Sequence, residues 1–177
     1  MKKIILGVSS SIAAYKAYDL ARLFVKGGDS VYTVLTENAL HLVSPLTFET
    51  LTGNPVYTHS YSQDRREMGH ISLKDGADLF LVAPATANIM AKFASGIADD
   101  LLSTTFLSVT CPVLLAPAMN PNMYSHRATQ ENMKKLKDWG MHFIDPAVGE
   151  VACGDEGQGK FPEIETVYRK AQDVLKG

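Results

Sequence analysis

Lys3-Ile4-Ile5-Leu6-Gly7-Val8, followed at once by Ser9-Ser10-Ser11 and a helical pattern over Ile12–Lys26, is the stretch that decides the fold class. The run is apolar without alternation, which is how a strand covered on both faces reads. Val31–Leu35, Leu79–Ala83, Val113–Ala116 and Met141–Ile144 repeat the theme, most of them rich in Val, Ile or Leu. Helical patterns cover Val43–Thr52, Asn88–Leu107, Thr129–Trp139 and about Ile164–Leu175, with Gly96 a candidate break in the second. Strand and helix in alternation require right-handed crossovers and a parallel sheet. The sequence therefore predicts an α/β, doubly wound, three-layer Rossmann-like fold. Its sheet is expected to be mostly parallel and six-stranded, in one domain covering residues 1–177.

A chain of 177 residues suffices to bury a core without metal or disulfide support. Hydrophobic residues make up 46% and charged residues 20%, the balance of a water-soluble globular chain. The formal charge of −2 leaves no basic footprint, so nucleic acid is not expected as a partner. Cys111 and Cys153 are too few for a disulfide framework and lack metal-ligand spacing. A cytoplasmic setting with free thiols and no metal is expected. No apolar run approaches membrane-spanning length, so no membrane partner is expected either.

Chemistry is expected at the carboxyl ends of the strands, where open α/β sheets bind ligands. After Val8, a serine of Ser9-Ser10-Ser11 either caps the next helix or joins its free N–H groups in an anion site. GxGxxG is absent, and Thr36-Glu37-Asn38 after Leu35 sets no acid for a ribose 2′-OH. A mononucleotide is favoured over a dinucleotide on that ground. Ala83-Pro84-Ala85-Thr86-Ala87-Asn88 ends the third run in small residues that admit a flat ligand, although Thr86 or Asn88 would equally serve as a cap. Ala116-Pro117-Ala118-Met119-Asn120-Pro121-Asn122-Met123 ends the fourth in the same way.

Two connections stand out. Ser60–Gly69 is polar and reads as a mobile, solvated link; Asp145–Phe161 is glycine-rich, long and irregular, the kind of loop that carries function. His70 follows the first, and the residues around it leave a structural and a catalytic role both open. Cys153 lies in the second, where a thiol can reach a ligand and exchange protons. Cys111 reads as an inert small hydrophobe, and His41, His59, His126 and His142 as structural.

GVSSSIAAYK (Gly7–Lys16), MGHISL (Met68–Leu73), APATANIMAKFASGIADDLLS (Ala83–Ser103), PAMNPNMY (Pro117–Tyr124) and ACGDEGQGK (Ala152–Lys160) occur in that order. Together they resemble the homo-oligomeric flavin-containing cysteine decarboxylases, over about Lys3 to Phe161. PAMNxxM with ACGDxGxG downstream is the specific part, and the second motif points to the members that act on phosphopantothenoylcysteine. The triple serine departs from the glycines that many bacterial members carry there.

The resemblance implies FMN, with its phosphate at Ser10, Ser11 and Ile12 and with Thr36 and Asn38 near the ribityl chain and phosphate. Thr86, Ala87, Asn88, Ile89 and Ala118 would line the isoalloxazine. His70 would be the catalytic base, Asn120 the holder of the substrate carboxylate and Cys153 the acid of a final reductive step. Met123 and Ala152 would shape the substrate pocket, covered by a loop at about 145–161. The implied reaction converts 4′-phosphopantothenoylcysteine to 4′-phosphopantetheine in coenzyme A biosynthesis, through a thioaldehyde and an enethiol. A homotrimer or dodecamer is implied, and a separate phosphopantothenoylcysteine synthetase. The alternatives on a similar fold are a peptidyl-cysteine decarboxylase, which lacks the reductive cysteine loop, and a flavin prenyltransferase, for which PAMN is the wrong motif. His70→Asn is expected to bind FMN yet stall before CO2 release, read by flavin absorbance beside a CO2 assay. Cys153→Ser is expected to release CO2 but accumulate the enethiol, identified by mass spectrometry of the products.

Overall fold

A strand that is apolar at every position must feed a core on each side of its sheet, because successive side chains leave on opposite faces. In the computed structural model, which describes residues 1–59, 73–150 and 154–177, the five apolar runs form one parallel sheet that does this. β1 (Lys3–Val8), β2 (Ser30–Leu35), β3 (Leu79–Ala85), β4 (Val113–Pro117) and β5 (His142–Phe143) stand in the order β2-β1-β3-β4-β5. The helices are α1 (Lys16–Lys26), α2 (Pro45–Thr52), α3 (Ala87–Ser95), α4 (Leu101–Ser108), α5 (Pro121–Ser125), α6 (Arg127–Asp138) and α7 (Ile164–Lys176). Ile4, Leu6 and Val8 pack with Leu20 and Phe24 of α1 and with Val167 and Ala171 of α7. Ile5, between them, packs on the other face with Met90 and Phe93 of α3, Leu102 and Phe106 of α4 and Leu136 of α6. The three layers expected from the sequence are present.

The helical pattern over Asn88–Leu107 is two helices. Gly96 ends α3 in the left-handed conformation, at φ 68°. Asp100 then starts α4 with a capping box: its carboxylate accepts the Ser103 N–H at 2.8 Å, and Ser103 Oγ accepts the Asp100 N–H at 3.2 Å.

Two expectations need correction. The sheet has five strands among the described residues, not six. Asp145–Phe161 is not irregular throughout, since β6 (Ala147–Glu150) and β7 (Glu156–Lys160) pair antiparallel with each other, apart from the sheet. These strands cannot enter a doubly covered sheet: Val148 is 77% exposed, and Gly149, Gly157 and Gly159 have no side chain to bury. The Ser60–Gly69 link lies outside the described residues.

One aromatic group anchors the α3–α4 layer. Phe93 stacks on Phe106 with ring centroids 3.9 Å apart and planes 9° from parallel, and Phe80 of β3 meets the two rings at 6.2 and 6.3 Å. Phe93 is fully buried. Phe93→Ala is expected to cost about 3–5 kcal/mol, read as a lower urea midpoint at unchanged slope.

Candidate active site

The order of the strands reverses at β1: the chain leaves it for β2 on one side and returns as β3 on the other. Connections diverge at such a point and open a crevice beyond the carboxyl ends of the two strands. Ser9 spans the base of that crevice. It is 2% exposed; its Oγ donates to the Pro84 carbonyl at 2.8 Å and accepts the Thr86 N–H at 3.0 Å. Its own N–H donates to the same carbonyl at 3.3 Å. Ser11 caps the 3-10 turn Ile12–Tyr15, accepting the Ala13 N–H at 3.4 Å. Ser10 is exposed and lines the crevice. Ser9 is thus structural, Ser10 is turned to the opening, and Ser11 both caps the turn and lines the larger cavity.

Two cavities meet there, both lined by Ser10 and Thr86. The larger, about 550 Å³, also takes in Ser11, Ile12, Ala118, Asn120 and Met123. The smaller, about 170 Å³, takes in Thr36, Asn38, Asn88 and Ile89 together with Lys92, Asp99 and Asp100. Ala87 is half-buried as the first residue of α3 and lines neither cavity. His70, Ala152 and Cys153 lie outside the described residues. Thr86 also acts as a helix cap, its Oγ1 accepting the Ile89 N–H at 3.3 Å. Thr36 donates its N–H to Val8 O at 3.1 Å, but its Oγ1 is buried with no hydrogen-bond partner among the described residues. A buried hydroxyl in that state costs about 1–3 kcal/mol, and a ligand in the smaller cavity would satisfy it.

The PAMN segment carries the far wall. Ala118 N–H donates to Ala85 O at 3.1 Å, and Met119 N–H donates to Gly159 O at 3.0 Å. β7 therefore lies on the segment with main chain against main chain. A Cβ on Gly159 would fall 2.3 Å from the Met119 carbonyl oxygen, and one on Gly157 would fall 2.9 Å from Pro121 Cβ. Only glycine fits such an approach. Asn120 caps α5, its Oδ1 accepting the Asn122 N–H at 2.8 Å, while its Nδ2 donates to the carboxylate of Asp155. PAMNPNMY and DEGQGK, read from sequence as two motifs, form one structure here.

Charge is concentrated beside the smaller cavity. Lys92 Nζ meets Asp99 at 2.6 Å and Asp100 at 2.7 Å. Burial alone would push the Asp100 carboxyl up, but hydrogen bonds from Lys92 and Ser103 outweigh it and hold the group below the usual carboxylate range. Burial likewise pulls Lys92 down and is outweighed by its bonds to Asp100 and Asp99, so its ammonium stays charged to higher pH. Elsewhere, burial pushes the Cys111 thiol up, consistent with an inert residue. His126 has a structural role as the cap of α6, its Nδ1 accepting the Ala128 N–H at 3.2 Å. Sequence reasoning missed Ser9, Lys92, Asp100 and Asp155 as members of the site, although Ser9 follows a strand end and Lys92 lies on the same helix as Asn88 and Ile89.

A family model described as Flavoprotein matches residues 1–176. The chain belongs to the flavoprotein family. This flavoprotein is 45% identical over 172 residues to the coenzyme A biosynthesis bifunctional protein CoaBC of Bacillus subtilis (strain 168), a match covering 97% of this chain and 42% of the relative. It thus spans less than half the length of the curated relatives it matches. Among solved structures, a mutant PPC decarboxylase complexed with pantothenoylaminoethenethiol matches at a TM-score of 0.87, with 28% identity and 99% of each chain covered. The FMN binding protein AtHal3 matches at 0.84, also with 28% identity, over 99% of this flavoprotein and 97% of that chain.

The Lys92–Asp100 contact has a pH signature. A carboxyl whose folded pKa is depressed contributes stability above its unfolded pKa and loses that contribution as pH falls through the folded value. Lys92→Met is expected to lower stability at neutral pH by about 1–2 kcal/mol. The deficit should shrink as the solution is acidified, because the wild type then loses what the variant already lacks. Thermal unfolding of both proteins from about pH 7 to pH 3 would check the convergence.

Proposed function

We propose that the chain binds FMN and decarboxylates 4′-phosphopantothenoylcysteine to 4′-phosphopantetheine, a step of coenzyme A biosynthesis. The observation that carries this reading is the meeting of the serine turn and the Asn120 amide in one cavity of about 550 Å³. Homology to a coenzyme A biosynthesis protein and the likeness to a PPC decarboxylase support the choice of substrate. The residues fit a flavin nucleotide. Ala118 lines the larger cavity beside the end of β3, where its small side chain leaves room for a flat ring. Thr36, whose Oγ1 has no partner among the described residues, borders the smaller cavity, where a ribityl or phosphate oxygen would satisfy it.

FMN, when bound, supplies a reversible two-electron oxidation of the substrate's thiol-bearing carbon, giving the electron pair left by CO2 somewhere to go. The chain's part is to bind, orient and move protons. Ser10, Ser11 and Ile12, with Thr36 and Asn38, hold the phosphate and ribityl end. Thr86, Asn88, Ile89 and Ala118 lie along the ring, and Ala87, whose side chain lines neither cavity, serves it only through the main chain at the start of α3. Asn120 holds the substrate carboxylate with a neutral donor, so the ground state is not bound by a full opposite charge. Met123 lines the larger cavity, and substrate binding is assigned to it together with Ala152. His70 takes the thiol proton, a task that suits neutral imidazole near pH 7, and Cys153 returns one at the end.

Assembly as a homotrimer or dodecamer, supply of substrate by a phosphopantothenoylcysteine synthetase and a cytoplasmic location belong to the same proposal. Among the described residues no helix is long and apolar enough to cross a membrane. The test is direct. The purified protein should carry flavin absorbance and release CO2 from 4′-phosphopantothenoylcysteine. Asn120→Asp is expected to abolish CO2 release by charge repulsion while FMN binding survives, and normal turnover in that variant would sink the assignment.

A further inference from the structure

The amide proposed to receive the substrate carboxylate already holds a carboxylate. Asn120 has two ends, and its Oδ1 is committed to the Asn122 N–H at 2.8 Å as the cap of α5. Its nitrogen end carries the two donors of the amide and gives one to Asp155. Asp155 is exposed, so water can solvate it once it is displaced. It cannot go far. One residue later β7 begins, and that strand is pinned to the PAMN segment by the bond from Met119 N–H to Gly159 O at 3.0 Å and by the close seat of Gly157 on Pro121.

We infer that Asp155 is an internal competitor for the carboxylate seat at Asn120, and that it sets how much more weakly the site holds the carboxylate-bearing substrate than the decarboxylated product. The inference rests on the proposed role of Asn120. A substrate carboxylate seated at that nitrogen must displace or share a charge-assisted hydrogen bond, and in either case lies beside a like charge. A product without that carboxylate meets neither cost. The arrangement weakens ground-state binding at the one group that leaves in the reaction, which is where weak binding favours turnover.

The experiment uses the FMN-loaded protein and two measurements, KM for 4′-phosphopantothenoylcysteine and the inhibition constant of 4′-phosphopantetheine. Asp155→Asn keeps the shape and removes the charge. KM is expected to fall about five- to tenfold, the scale of one hydrogen bond to a charged group, with the product constant unchanged within about twofold. Asp155→Ala serves as a second variant and should move KM in the same direction. If both constants shift together, Asp155 only supports the hairpin and the inference is overturned; it is overturned equally if KM rises or stays put in a wild-type background that turns over normally. A wild-type holoprotein that binds neither compound and releases no CO2 from 4′-phosphopantothenoylcysteine overturns the proposed reaction, and the inference with it.

Discussion

The hydroxyl of Ser9 holds the carboxyl edge of the sheet together. β1 and β3 pair in register up to Gly7 and Val82, and beyond that point the chain meets Pro84, which has no N–H to continue a ladder. Ser9 bridges the gap, taking the Thr86 N–H and giving both its own donors to the Pro84 carbonyl. Without that side chain, a carbonyl and an N–H would be left poorly satisfied in a place almost closed to water, at a cost comparable to a lost buried hydrogen bond. The start of α3 and the turn leading to α1 would lose their fixed separation as well. The two cavities share Ser10 and Thr86, the residues on either side of this bridge, so the width of the whole crevice is set there.

Much of this was legible in the sequence, for reasons of burial. Strands covered on both faces have no polar face to interrupt them, so Leu79–Ala83 and Val113–Ala116 stand out as unbroken apolar runs. Gly96 declared the end of α3 because few other residues accept the left-handed conformation there. What escaped depends on contacts between distant segments. Glycine ordinarily marks a break, and Gly157 and Gly159 led to a reading of loop where a strand stands. Their purpose is to let one backbone touch another, and the partners, Met119 and Pro121, lie more than thirty residues earlier. The three serines look alike in sequence, and only their tertiary neighbours assign Ser9 to the sheet and Ser11 to the turn. Ala87 shows the converse, since the first turn of α3 carries it away from the cavities that its neighbours Thr86 and Asn88 line.

In the proposed reading, Asn120 joins fold and chemistry in a single amide. Its oxygen caps α5 and its nitrogen faces the cavity side of the hairpin, so the cap also decides which end is presented. An aspartate would keep the capping oxygen and lose the donor; a shorter or apolar residue would lose both.

The contact of β7 with the PAMN backbone has an evolutionary side. Main-chain contact does not depend on side-chain identity, so Glu156, Gln158 and Lys160, all exposed, are relieved of packing duty. A lineage that keeps the two intervening glycines is free to rewrite these three positions. Lys160 borders the larger cavity, so such changes would alter what is welcomed at its mouth while the scaffold beneath stays as it was. Diversification of substrate can therefore proceed at this hairpin without new solutions to folding.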